Sequence, residues 1–124
     1  MAKPDILIVE DHPTMREAMK LILEHEGFGI REAPDGATAI AMVTEQLPDL
    51  MFLDLNIPGR SGVDVLTGIK TNPKTQDLRV IVVTATGEEG RAYTRSLGAD
   101  EYLTKPFSPT TLLQTVERVL GSSP

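Results

Sequence analysis

The chain has 124 residues, 40% of them hydrophobic, with no Cys and a formal net charge of −6 at pH 7. That length suits one domain with one core and is too short for two ordinary ones. The absence of cysteine excludes a disulfide framework, thiolate metal sites and sulfur redox chemistry, and an acidic chain with no basic stripe is unsuited to direct nucleic-acid binding.

The first apolar run, Ile6-Leu7-Ile8-Val9, is too short for a signal-peptide core or a membrane span. It predicts a strand over Asp5 to Glu10 in a soluble, cytoplasmic protein. Pro13 fits the first position of a helix that carries Met15, Ala18, Met19, Ile22 and Leu23 on one face, with Gly27 as a left-handed cap beyond it. Phe28 to Ala33 reads as an edge strand, because Gly29, Arg31 and Glu32 interrupt its apolar character. Asp35-Gly36 then opens a helix with Ala39, Ile40, Val43 and Leu47 inward, stopped by Pro48.

Leu50-Met51-Phe52-Leu53 is a short, wholly apolar run closed by Asp54, Asn56, Pro58 and Gly59. It reads as a strand buried on both faces that delivers the Asp54 carboxylate to its carboxyl end. Ser61 caps a helix with Gly62, Val65, Leu66 and Ile69 inward, and Thr71 to Asp77 is a loop. Arg79 to Thr84 is a β-branched strand, Gly87 to Leu97 a helix interrupted by Gly90, and Gly98 its end. Asp100 to Thr104 makes a fifth strand. Ser108-Pro109 opens a last helix with Leu112, Leu113, Val116, Val119 and Leu120 on its apolar side, and residues 121–124 form a tail or the start of a linker.

Five strands alternating with five helices argue for an α/β fold with a doubly wound parallel sheet. The order 2-1-3-4-5, that of flavodoxin-like folds, puts the apolar strands in the middle and the charged second strand at an edge. Parallel strands bring their carboxyl ends to one edge, so Glu10, Asp11, Asp54, Thr84 and Lys105 become neighbours there. Three carboxylates in one crevice call for a cation, since a pair about 5 Å apart at an effective dielectric near 20 costs roughly 3 kcal/mol. Oxygen donors alone favour a hard ion, and so few of them favour Mg²⁺ with several waters, the Asn56 backbone carbonyl being a further donor. Lys105 and the Thr84 hydroxyl suit a phosphate oxygen, so the set describes an aspartate that attacks phosphorus. His12 and His25 have no metal-ligand spacing and receive no role.

The sequence Ile8-Val9-Glu10-Asp11, then Leu53-Asp54-Leu55-Asn56-Ile57-Pro58 with Gly62, then Val83-Thr84-Ala85, then Lys105-Pro106-Phe107, resembles the receiver domain of two-component response regulators. The resemblance covers essentially the whole chain, with residues 1–120 as the receiver. It implies that Asp54 accepts a phosphoryl group from a phosphohistidine on a sensor histidine kinase or histidine phosphotransfer protein. It implies Mg²⁺ at Glu10, Asp11, Asp54 and the Asn56 carbonyl, a Lys105 contact to the phosphoryl group, and a switch in which Thr84 and Tyr102 move together. The implied output surface, for a downstream protein target, is the face of the fourth helix, fifth strand and fifth helix. A cis Lys105-Pro106 bond also follows from the resemblance. Glu10 stands where the family often has Asp, keeping the charge on a longer arm.

The protein is thus expected to be a signalling phosphoacceptor whose catalysis is confined to its own phosphorylation and dephosphorylation. Haloacid-dehalogenase-like phosphatases share the aspartate nucleophile, but their second Asp, two residues on, is here Asn56, which cannot act as general acid. A non-phosphorylated interaction module on the same fold and a flavodoxin-like cofactor binder are the remaining alternatives. The full acidic set with Lys105 weighs against the first. The lack of Trp and of a phosphate-cradling loop weighs against the second.

Overall fold

Residues 4–59 and 61–121 are described by a computed structural model. The aliphatic runs become the strands of one parallel sheet: β1 (Asp5–Val9), β2 (Gly29–Ala33), β3 (Leu50–Asp54), β4 (Arg79–Thr84) and β5 (Glu101–Thr104), in the order β2-β1-β3-β4-β5. The helices between them are α1 (Pro13–His25), α2 (Gly36–Glu45), α3 (Gly62–Thr71), α4 (Arg91–Ser96) and α5 (Pro109–Gly121). A 3₁₀ turn at Gly87–Gly90 precedes α4. Residues 122–124 of the expected tail lie outside the described residues, whereas Gly121 ends α5.

Period-two alternation divides the core between the two faces of the sheet. Leu7, Val9, Met51, Leu53, Val80 and Val82 pack with Ala39 and Val43 of α2 and Val65, Leu66 and Ile69 of α3. Ile6, Ile8, Leu50, Phe52, Ile81 and Val83 point the other way, onto Met19 and Leu23 of α1 and Leu112, Val116 and Val119 of α5. Both faces are therefore covered, as continuous apolar strands require. Asp35 and Ser61 start α2 and α3 as expected, accepting bonds from the backbone N–H of Thr38 (2.7 Å) and Asp64 (3.1 Å).

Two expected core residues lie outside. Leu47 is 47% exposed, because α2 ends at Glu45 and Gln46 is already extended. The Gln46 carbonyl instead accepts a 2.9 Å bond from Arg31 Nη2 on β2, which draws the chain away from the helix path. Ala18 is exposed because the buried stripe of α1 is narrow and centred on Met19 and Leu23, with Met15 and Ile22 partly covered. The helix expected from Gly87 to Leu97 divides at Gly90 into the 3₁₀ turn and the short α4. No helix among the described residues is long and apolar enough to cross a membrane.

Candidate functional site

β1 and β3 are adjacent and in parallel register, Val9 opposite Leu53, so the chain leaving β1 at Glu10 lies beside Asp54. Both carboxylates are buried, Glu10 at 2% and Asp54 at 4% exposure, while Asp11 is exposed. Carboxylate oxygens of Glu10, Asp11 and Asp54 lie within 4.8 Å of one another. Lys105, just past β5, reaches between two of them: its Nζ donates to Asp54 Oδ2 at 2.9 Å and stands 2.8 Å from Glu10 Oε1. The Lys105–Pro106 peptide bond is cis.

The strand-end loops hold this arrangement through main-chain contacts. The Asn56 N–H donates to Asp54 Oδ1 at 2.9 Å, and the His12 N–H to Glu10 Oε2 at 3.2 Å. Lys105 N–H donates to the Thr84 carbonyl at 2.8 Å, tying the ends of β4 and β5 together. Gly62 is required at the start of α3 because a Cβ there would stand 2.5 Å from Leu55 Cα and 2.8 Å from the Asp54 carbonyl. The helix thereby packs directly on the backbone carrying Asp54.

Three carboxylates against one ammonium leave the crevice two negative charges in excess when all are ionised. Burial is the largest influence on Glu10 and raises its pKa; the nearby Asp54 raises it further, against the opposing effect of Lys105. For Lys105 burial is again the largest influence and lowers the pKa, but contacts with Glu10 and Asp54 outweigh it, and the ammonium is held above its ordinary value. The buried Glu10 Oε1 is paired with the Lys105 ammonium at 2.8 Å. An all-oxygen donor set and an excess of two negative charges, with one ammonium shared between Glu10 and Asp54, fit a hard divalent cation such as Mg²⁺.

Thr84 is buried at the end of β4, but its hydroxyl is engaged by Thr86, with 3.0 Å between the two hydroxyls and a 3.2 Å bond from the Thr86 N–H. Tyr102 is already inside, 4% exposed, its hydroxyl donating to the Gly87 carbonyl at 2.6 Å. Sequence reasoning missed Thr86, although a hydroxyl two residues beyond Thr84 in a turn is a signal for such a bond. It also missed Arg16, whose Nη1 donates to the Glu10 carbonyl at 2.8 Å and whose Nε lies 3.4 Å from Glu32. Nothing in the spacing of an arginine on α1 announces a main-chain partner on the preceding loop.

The response regulator receiver domain family matches residues 6–117. The chain belongs to that family. It is 40% identical over 116 residues to the phosphate regulon transcriptional regulatory protein PhoB of Escherichia coli, covering 93% of this chain and 51% of that protein. The chain thus spans about half the length of the curated relatives it first matches. Among solved structures it resembles the chemotaxis response regulator CheY4 of Vibrio cholerae, with 27% identity and a TM-score of 0.89 over 95% of this chain and 99% of that one. The signal receiver domain of a signal transduction histidine kinase from Syntrophus aciditrophicus gives 31% identity and a TM-score of 0.87, over 96% and 91% of the two chains. Receiver domains of response regulators are signalling domains, and neither the phosphatase nor the cofactor-binding alternative is favoured by these similarities.

Proposed function

We propose that this receiver accepts a phosphoryl group on Asp54, donated by the phosphohistidine of a sensor kinase or a histidine phosphotransfer protein in the cytoplasm. The observation that carries the reading is the Lys105 ammonium set between Asp54 and Glu10 in a crevice that also holds Asp11. An Asp54 carboxylate oxygen attacks phosphorus, the P–N bond to the donor imidazole breaks as the P–O bond forms, and the imidazole nitrogen recovers a proton. Lys105 stays beside the oxygens as charge builds on them. The Asp54 carboxylate is buried and aimed by the Asn56 N–H, which holds one oxygen while the other faces Lys105.

Glu10, Asp11, Asp54 and the Asn56 carbonyl are the groups that would hold Mg²⁺, which when bound offsets the charge of the incoming phosphoryl group. In this reading catalysis is confined to the protein's own phosphorylation and dephosphorylation. The signal passes to a protein target through the face of α4, β5 and α5, with Thr84 and Tyr102 as the moving residues. The test is Asp54→Asn, which keeps the shape and removes the nucleophile. With a small phosphodonor and Mg²⁺, intact mass is expected to show one phosphoryl group on the parent protein and none on the variant; equal uptake by both refutes the assignment.

A further inference from the structure

A second cluster lies beyond the acidic crevice, where the 3₁₀ turn and α4 cover β5. The Tyr102 ring enters beneath this turn and its hydroxyl donates to the Gly87 carbonyl at 2.6 Å. Gly90 leaves the space this needs, since a Cβ there would stand 3.0 Å from the Tyr102 hydroxyl oxygen. The Arg91 guanidinium lies over the ring, its Cζ 5.0 Å from the centroid. It is pinned there from both sides. Arg91 Nε and Nη2 donate to the two oxygens of Glu88 at 2.6 and 3.0 Å, and Nη1 donates to Glu101 Oε1 at 3.4 Å. Glu101 is fixed in turn through Oε2 by Arg118 Nε of α5 at 2.9 Å.

We infer that Arg91 is a latch on Tyr102: the guanidinium, held by Glu88 and Glu101, closes over the aromatic face and keeps the ring buried. The attraction is that of a cation for the negative face of a π system, and a planar guanidinium can present its face to the ring while its edge serves both carboxylates. A ring leaving this place gives up the Gly87 bond and the guanidinium contact together. Arg91 and Glu88 are on the partly exposed side of the cluster, so the latch opens by side-chain movement alone and leaves the sheet intact. The latch concerns the burial of Tyr102 and is independent of whether Asp54 accepts phosphoryl.

The chain has two tyrosines and no Trp, so 3-fluorotyrosine labelling of the full chain gives two ¹⁹F resonances. Tyr93→Phe removes the exposed one and assigns the other to Tyr102. In that background Arg91→Ala and Arg91→Met are expected to raise the outward population of Tyr102 roughly two- to fivefold. Acrylamide quenching of tyrosine fluorescence, measured on unlabelled protein, should rise in parallel. Arg91→Lys, which keeps charge but not the fork, is expected to fall between them and the parent. Circular dichroism verifies the fold of each variant. A Tyr102 resonance and quenching unchanged in both Arg91→Ala and Arg91→Met overturn the latch, and so does a change confined to Arg91→Ala, which would assign the effect to the packing of the arginine stem.

Discussion

Replacing Gly62 with Ala tests how closely the loop carrying Asp54, the proposed phosphoacceptor, is tied to the helix behind it. The added methyl would approach Leu55 Cα to 2.5 Å, the Asp54 carbonyl to 2.8 Å and the Leu55 carbonyl carbon to 3.0 Å. All three are backbone atoms, so no side-chain rotation relieves the clash. Restoring an ordinary contact moves α3 away from the loop by about 0.9 Å, and overpacking of this kind costs about 1–3 kcal/mol. Gly62 is the first residue of α3, where the better helix propensity of Ala offsets little of that cost. Urea denaturation should show the midpoint falling with the slope unchanged. Because the displaced atoms belong to Asp54 and its neighbour, phosphoryl uptake should slow as well, toward the roughly 100-fold loss that a 1 Å misplacement can cause. A Gly62→Ala protein as stable as the parent and phosphorylated at the same rate would refute the packing argument.

Lys105→Met should destabilise the Mg²⁺-free protein by about 1–3 kcal/mol, less than the loss for a fully buried pair because 19% of the lysine side chain is exposed. Added Mg²⁺ should narrow the gap in denaturation midpoint between Lys105→Met and the parent; a gap indifferent to Mg²⁺ refutes the charge balance drawn for the crevice. The pH dependence should be visible at Glu101. Burial is the largest influence on it and pushes its pKa up, but Arg118, the Tyr102 N–H and Arg91 together hold the carboxyl below its ordinary value of 4.5. A lowered folded-state pKa means that the unfolded chain takes up the proton first as pH falls, so the contribution to stability is complete above 4.5 and is lost on acidification through the folded value. Glu101→Gln should therefore be less stable than the parent at pH 6 to 7, with the difference shrinking as the pH falls below 4.5; a difference that stays constant on acidification rules this linkage out.

The sheet was legible because its signal is local and repeated: apolar runs of strand length, each closed by turn formers, alternate with helical spacing. The crevice was legible for a different reason. Once parallel order is assumed, Glu10, Asp54 and Lys105 have nowhere else to meet, and the ion pairs of 2.8 and 2.9 Å follow from topology more than from local sequence. What escaped depends on side-chain direction. Leu47 had the spacing of a core residue, but the helix ended two residues earlier when Arg31 took the Gln46 carbonyl. Ala18 met the same three-and-four rule as Met19, yet a methyl group is too small to decide which edge of the stripe is covered. Arg16 and Arg91 act through partners whose positions are set only after folding, so neither carries a motif.

The proposed coupling between the crevice and the face of α4, β5 and α5 cannot rest on Thr84 alone. Moving a population from about 1 to 99% requires roughly 5.5 kcal/mol of differential interaction. In the proposed phosphorylated state the Thr84 hydroxyl exchanges its present bonds with Thr86 for one to the phosphoryl group, and the net worth of one hydrogen bond is about 0.5–1.5 kcal/mol. The larger share must come from a group whose charge interaction changes. In the proposed mechanism that group is Lys105, since its ammonium already divides itself between Glu10 and Asp54 and would be drawn to a third anion. Its backbone N–H is bonded to the Thr84 carbonyl at 2.8 Å, so displacement of either residue strains the other. Three residues beyond Thr84 the chain enters the 3₁₀ turn whose first residue, Gly87, holds the Tyr102 hydroxyl. In the proposed phosphorylated state the path from charge to surface would be a short main-chain lever, the β4 and β5 ends moving together and the Tyr102 hydroxyl following Gly87, the first residue of the turn.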